Sequence, residues 1–144
     1  MLRITGFALL VLLLSACGHT KDDEEGSGIT KDQLVEMFDS MSQDSSWDFS
    51  KPMVWGYFFT DSSKEQLQAA KPALESQGYR FVDLYPAEKE NADDPDLWWL
   101  HVEKVEIHTP DSLDARNKVL YKFADEHDLQ SYDGMDVAPV IAKQ

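Results

Sequence analysis

The chain has 144 residues, 42% of them hydrophobic and 28% charged, the size and balance of one compact domain with no room for a second full one. Its 13 Lys and Arg stand against 27 Asp and Glu, a formal charge of −14 that repels phosphate backbones and excludes direct nucleic-acid binding. Four Trp, five Tyr and seven Phe predict a packed core and exclude an acidic disordered tail.

At the N-terminus, Arg3 precedes the apolar run 7–14 and the small residues Ser15 and Ala16, the layout of a cleaved secretory signal. A bilayer span needs about 20 apolar residues, and Asp22, Asp23, Glu24 and Glu25 follow this run too soon. Leu14-Ser15-Ala16-Cys17 resembles the lipobox of bacterial lipoproteins, in which the Cys becomes the mature N-terminus and carries acyl chains such as palmitate. Cys17 is the only Cys, so it has no partner for an intramolecular disulfide. Two or three acyl chains suffice for stable anchoring, where one alone is marginal. By the same resemblance, Gly18 in place of Asp directs the protein to the outer membrane of a Gram-negative cell, facing the periplasm. Removing residues 1–16 takes away one basic residue and no acidic one, leaving a strongly acidic mature chain.

Residues 17–28 are polar, charged and glycine-bearing, and read as a flexible tether before a domain over 29–144. Thr30 and Gln33 form a capping-box pair, and Leu34, Met37, Phe38 and Met41 recur at helical spacing, predicting a helix over 31–42. Trp47 and Phe49 in the Ser/Asp-rich connection are expected to pack on the domain. Residues 53–60 are β-branched and aromatic on both alternating faces, a strand covered on both sides. A helix capped by Ser62 or Ser63 follows, with Leu67, Ala70 and Leu74 on one stripe and Gly78 as its stop. Pro72 within it predicts a kink or a helix in two pieces. Residues 79–85 alternate as a second strand, and 86–95 form an acidic loop. Over 97–108 the inward positions read Trp98, Leu100 and Val102, then Val105 and Ile107, a slip that predicts a β-bulge near Glu103 and Lys104. Thr109-Pro110 opens a helix ending near His127, with Leu113, Leu120, Phe123 and Ala124 inward. A last strand covers 131–138, bent or bulged at Asp133-Gly134.

The order after the lead helix is strand, helix, strand, strand, helix, strand: an α+β, ferredoxin-like βαββαβ sandwich with one extra N-terminal helix. Gln77-Gly78-Tyr79-Arg80-Phe81 and Leu129-Gln130-Ser131-Tyr132-Asp133-Gly134-Met135 then resemble the helix-end Gly-Tyr turn and the terminal Tyr-Asp-Gly of the regulator of ribonuclease E activity B (RraB-like) family. The resemblance spans about 34–137, and its motif residues here are Gly78, Tyr79, Tyr132, Asp133 and Gly134. It implies a small acidic α+β protein that binds and inhibits an RNA-degrading endonuclease in the cytoplasm, whereas the leader implies export. The fold can carry over without the target, because function belongs to sites.

Catalytic constellations are sparse. Alternation puts His101 and Glu103 on one face of their strand and Glu106 and His108 on the other, pairs that fall short of the three or four ligands of a zinc site. Asn91, Asp93, Asp94 and Asp96 lack the Gly and Glu of an EF-hand and read as a solvated loop. Asp133 and Asp136 have no acid/base assignment from spacing alone. No nucleophile elbow, phosphate loop or cofactor motif occurs, so no enzyme, metal or cofactor is expected. What remains is a surface: Trp55, Tyr57, Phe59, Trp98 and Trp99 fall on the two predicted central strands, and a ferredoxin-like sheet leaves one face without helices. Two readings stay open, a partner on that face or the lead helix folded back over it. The expectation is a lipid-anchored envelope protein acting as a non-catalytic binding or regulatory module for another, basic, envelope protein. The alternatives are a ribonuclease E inhibitor retained in the cytoplasm and an envelope metal-dependent hydrolase.

Overall fold

The computed structural model describes residues 28–141, so the leader, the lipobox with Cys17 and almost all of the tether lie outside the described residues. Seven elements follow in order: α1 (Lys31–Ser42), β1 (Met53–Asp61), α2 (Lys64–Ser76), β2 (Arg80–Pro86), β3 (Trp98–Glu106), α3 (Pro110–Glu126) and β4 (Ser131–Pro139). The strands form one antiparallel sheet in the order β2-β3-β1-β4, the ferredoxin-like arrangement with the first and third strands central.

Each helix begins where side chains satisfy its orphan backbone donors. Thr30 accepts from the Gln33 amide at 3.2 Å while the Gln33 side chain accepts from the Thr30 amide at 2.9 Å. Ser63, not Ser62, caps α2, and Thr109 with Ser112 caps α3 ahead of Pro110. The turn from β1 into α2 is tied to the connection between α3 and β4 by the buried Asp61 carboxylate. One oxygen accepts from the Ser63 amide at 2.7 Å and the other from the Gln130 amide at 2.8 Å.

Helices α2 and α3 lay Leu67, Ala70, Leu74, Leu113, Leu120 and Phe123 on one sheet face, against Trp55, Tyr57, Phe59, Leu100 and Val102. Helix α1 packs on α3 and thus extends the helical layer. Its Phe38 lies 5.9 Å from the Trp55 ring and 4.5 Å from Phe49, which with Trp47 closes that end of the core as expected. The lead helix therefore does not cover the opposite sheet face.

Two local expectations are corrected. Helix α2 is not in two pieces: it runs as one 13-residue helix through Pro72, where exposed Pro72 and Gln68 let water take the hydrogen bond that the ring removes. Strand β3 pairs with β1 in unbroken register from Trp98 to Glu106, with no bulge at Glu103-Lys104. Val105 and Ile107 are instead more than half exposed, so the apparent slip came from apolar residues facing solvent. The bulges lie in the edge strands, at Val82 in β2 and at Asp133 in β4, where Gly134 has φ +119°.

Candidate functional site

Period-2 alternation splits the aromatic residues between two faces. Trp55, Tyr57 and Phe59 are fully buried on the helix-covered face, so they are core and not a binding surface. Trp98 shares that side at its margin, half-buried under the Lys64 ammonium 4.9 Å from its ring. Of the five residues expected on a surface, only Trp99 lies on the uncovered face, because it is one residue out of phase with Leu100.

The family-motif residues are structural. Gly78 has φ +90° just after the C-cap of α2, a conformation that strains any residue with a Cβ. Tyr79 is buried edge-on against Tyr57 at 5.7 Å, and buried Tyr132 donates to Asn117 Oδ1 at 2.7 Å. Asp133 and Gly134 build the β4 bulge, and partial burial holds the Asp133 carboxyl above its usual range.

Under the helices the expected Glu106/His108 pair becomes a larger network. Arg116 of α3 donates to both Glu106 oxygens, at 2.5 and 3.0 Å. Tyr57 donates to Glu106 at 3.0 Å and lies 3.1 Å from His108 Nε2, while His108 Nδ1 lies 2.9 Å from Ser112 Oγ. Burial pushes the Tyr57 phenol up and the His108 imidazole down, whereas for Glu106 the opposing pull of burial is outweighed by the Arg116 fork, the Tyr57 hydroxyl and His108 together, which hold it below the usual carboxylate range. Every member is engaged by another, and the network joins the end of β3 to α3. Sequence spacing hinted at Glu106 and His108, but Arg116 and Tyr57 join them only through tertiary packing.

The uncovered face carries Phe58 and Gly56 from β1, Trp99, His101 and Glu103 from β3, Arg80, Asp83 and Tyr85 from β2, and Asp136 from β4. His101 stacks on Phe58 with ring centroids 4.3 Å apart, and Trp99 meets Phe58 edge-on at 6.1 Å. Arg80 is engaged by Glu103. His101 Nε2 is shielded from solvent yet has no hydrogen-bond partner, the sole such side-chain atom among the described residues. Burial lowers the His101 imidazole below its ordinary value against the opposing pull of Asp136. At the centre the Asp136 and His101 side chains close over Gly56: a Cβ there would lie 2.2 Å from Asp136 Oδ1 and 2.7 Å from His101 Nε2, so only glycine fits.

The acidic loop folds on itself, with the Asn91 amide donating to Asp94 at 2.8 Å and Lys89 paired to Asp96 at 2.6 Å. Among the described residues no group of three His, Cys, Asp or Glu could hold a metal ion, and no helix is long and apolar enough to cross a membrane. The uncovered face thus presents aromatic rings and carboxylates, with no acid, base and nucleophile assembled together among its described residues.

A search of curated proteins finds no match to this chain. Residues 31–137, from the first residue of α1 to within β4, match the family model described as regulator of ribonuclease activity B, RraB. That span contains all three helices and the whole of the sheet except its last two residues, and the chain belongs to the RraB family.

Proposed function

We propose that this protein is a non-catalytic regulatory module that binds another protein through its uncovered sheet face, and that Cys17 anchors it by lipid in the cell envelope. The observation that carries the binding part is the patch of Phe58, Trp99 and Tyr85, half-buried and ringed by Asp83, Glu103 and Asp136 with no helix of the described chain across it. An aromatic patch with a polar rim is the common anatomy of a protein interface. Family membership supports a regulator over a catalyst. The lipobox-like Leu14-Ser15-Ala16-Cys17 supports the envelope, with the outer membrane facing the periplasm as its site.

A photo-crosslinking residue in place of Trp99, used in intact cells, tests the surface. One dominant adduct that unlabelled protein competes away is expected, whereas no adduct from Trp99 alongside a strong one from exposed Val119 on α3 would move the interface to the helical side. Fractionation of wild type and Cys17→Ser tests the anchor. Membrane localisation lost in the variant is expected. Cytoplasmic wild-type protein would restore the second reading, a ribonuclease E inhibitor retained in the cytoplasm, for which the description of the matched family as a regulator of ribonuclease activity is the support.

A further inference from the structure

We propose that the apolar end of the sheet, where β3 and β4 meet the connection before β1, is the contact by which two copies of this chain form a two-fold dimer. Of the seven exposed large apolar side chains among the described residues, four belong to this end: Val105, Ile107, Val140 and Ile141, each half or more exposed. Val105 and Val140 line one open hollow of about 540 Å³ together with Pro52 and Pro139. Neither proline has a backbone N–H, so a covering surface strands no donor on them. Ile107 lies two residues beyond Val105 at the same parity, and Ile141 follows Val140 directly. Apolar side chains gathered in this way mark a contact surface, as a single exposed valine does not. The hollow is set apart from the Trp99 patch, which lies six residues back along β3, about 20 Å away.

The charges at its rim select a second copy as the occupant. The charged residues lining the hollow are Asp48 and Lys51, one of each sign, paired at 3.2 Å and open to solvent. In a two-fold contact a residue meets its neighbour's counterpart, so Lys51 of one copy meets Asp48 of the other and the rim is its own complement. Elsewhere a chain of formal charge −14 repels its copies, whereas the lining charges here cancel. A basic partner is steered to the Asp83, Glu103 and Asp136 rim instead. An anionic bilayer would meet a single lysine on a strongly acidic chain. A pair joined at this end leaves both Trp99 patches free, so the dimer would engage a repeated partner bivalently.

The test is sedimentation equilibrium of the full chain under reducing conditions, which keep Cys17 from forming an intermolecular disulfide. The average mass is expected to rise from one chain toward two, with a midpoint between about 10 and 500 μM, the strength of a small interface. Val140→Asp lies just beyond β4, so the fold survives it, and it should weaken association at least about tenfold by burying a charge in each half of the contact. Val119→Asp makes the same change on the exposed surface of α3 and should leave association within about twofold of wild type. Lys51→Glu should weaken it several-fold more than Lys122→Glu, the same charge change on exposed α3 surface. Equal effects of the two lysine changes would reduce the rim to net charge and overturn its pairing. A monomer at every concentration, or association unchanged in Val140→Asp, would overturn the dimer. A monomer that floats with phosphatidylcholine vesicles, and loses them in Val140→Asp, would give the patch to a membrane surface instead. The Trp99 adduct is a separate readout: its absence leaves the dimer standing, and its presence in a monomeric wild type leaves the docking face standing.

Discussion

The two faces of the sheet are built from the same residue types and behave oppositely. On the covered face Trp55, Tyr57 and Phe59 are fully buried, and an Arg-carboxylate pair is locked into a network with Tyr57 and His108. On the other face Phe58 and Trp99 are half-exposed, and the Arg80-Glu103 pair has its guanidinium side chain 70% exposed. Phe58 and Phe59 are consecutive in the chain. Composition is thus a poor guide to role within a strand, and the parity of a residue's position is a good one.

The largest effect that would break this comparison is a contrast between those neighbours. Phe59→Ala opens a core cavity and should lower stability by about 3–5 kcal/mol, whereas Phe58→Ala should lower it by about 1 kcal/mol, read from urea denaturation. Equal losses would mean that the open face is as tightly packed as the core. The two arginines give the next contrast. Arg116→Ala strands a carboxylate that is only 19% exposed and should cost about 2–3 kcal/mol, discounted from the fully buried case. Arg80→Ala should cost less than about 1 kcal/mol, as exposed ion pairs do.

A smaller effect sharpens the comparison through pH. The folded-state value of His108 is depressed by burial, so the unfolded chain binds the extra proton first as pH falls. Its stability contribution is complete above the ordinary imidazole value of about 6.5 and fades as pH falls through the lower folded value. Glu106, depressed by the Arg116 fork, adds a loss at still lower pH. Stability measured between pH 7 and 5 should therefore fall less steeply in His108→Gln than in wild type. The same slope in both would assign the acid sensitivity to His101 on the open face, also depressed by its burial.

The element order, the Thr30-Gln33 capping box, the Thr109 cap before Pro110 and the central placement of β1 and β3 were legible in the sequence, because caps and apolar periodicity are local signals. The β4 bend at Asp133-Gly134 was legible for the same reason, since a glycine in a strand marks an irregular backbone. Val105 and Ile107 misled because apolar residues also occur on surfaces, and a strand read by hydrophobicity alone then seems to change phase. Of the candidate surface, sequence reasoning reached Trp99 and missed Phe58. The run 53–60 is apolar at both parities, so only the position of the helices could say which parity was covered.

Spacing, charge and capping in the chain by themselves determined which segments are helices and strands, the βαββαβ order and the acidic balance of the chain. These depend on residues near one another in sequence or on simple sums over it. Tertiary structure alone decided that α1 joins the helical layer and leaves one sheet face open, that Arg116 meets Glu106, and that Asp136 and His101 close over Gly56. Those facts join residues from different elements, and strand register with helix docking sets which of them meet.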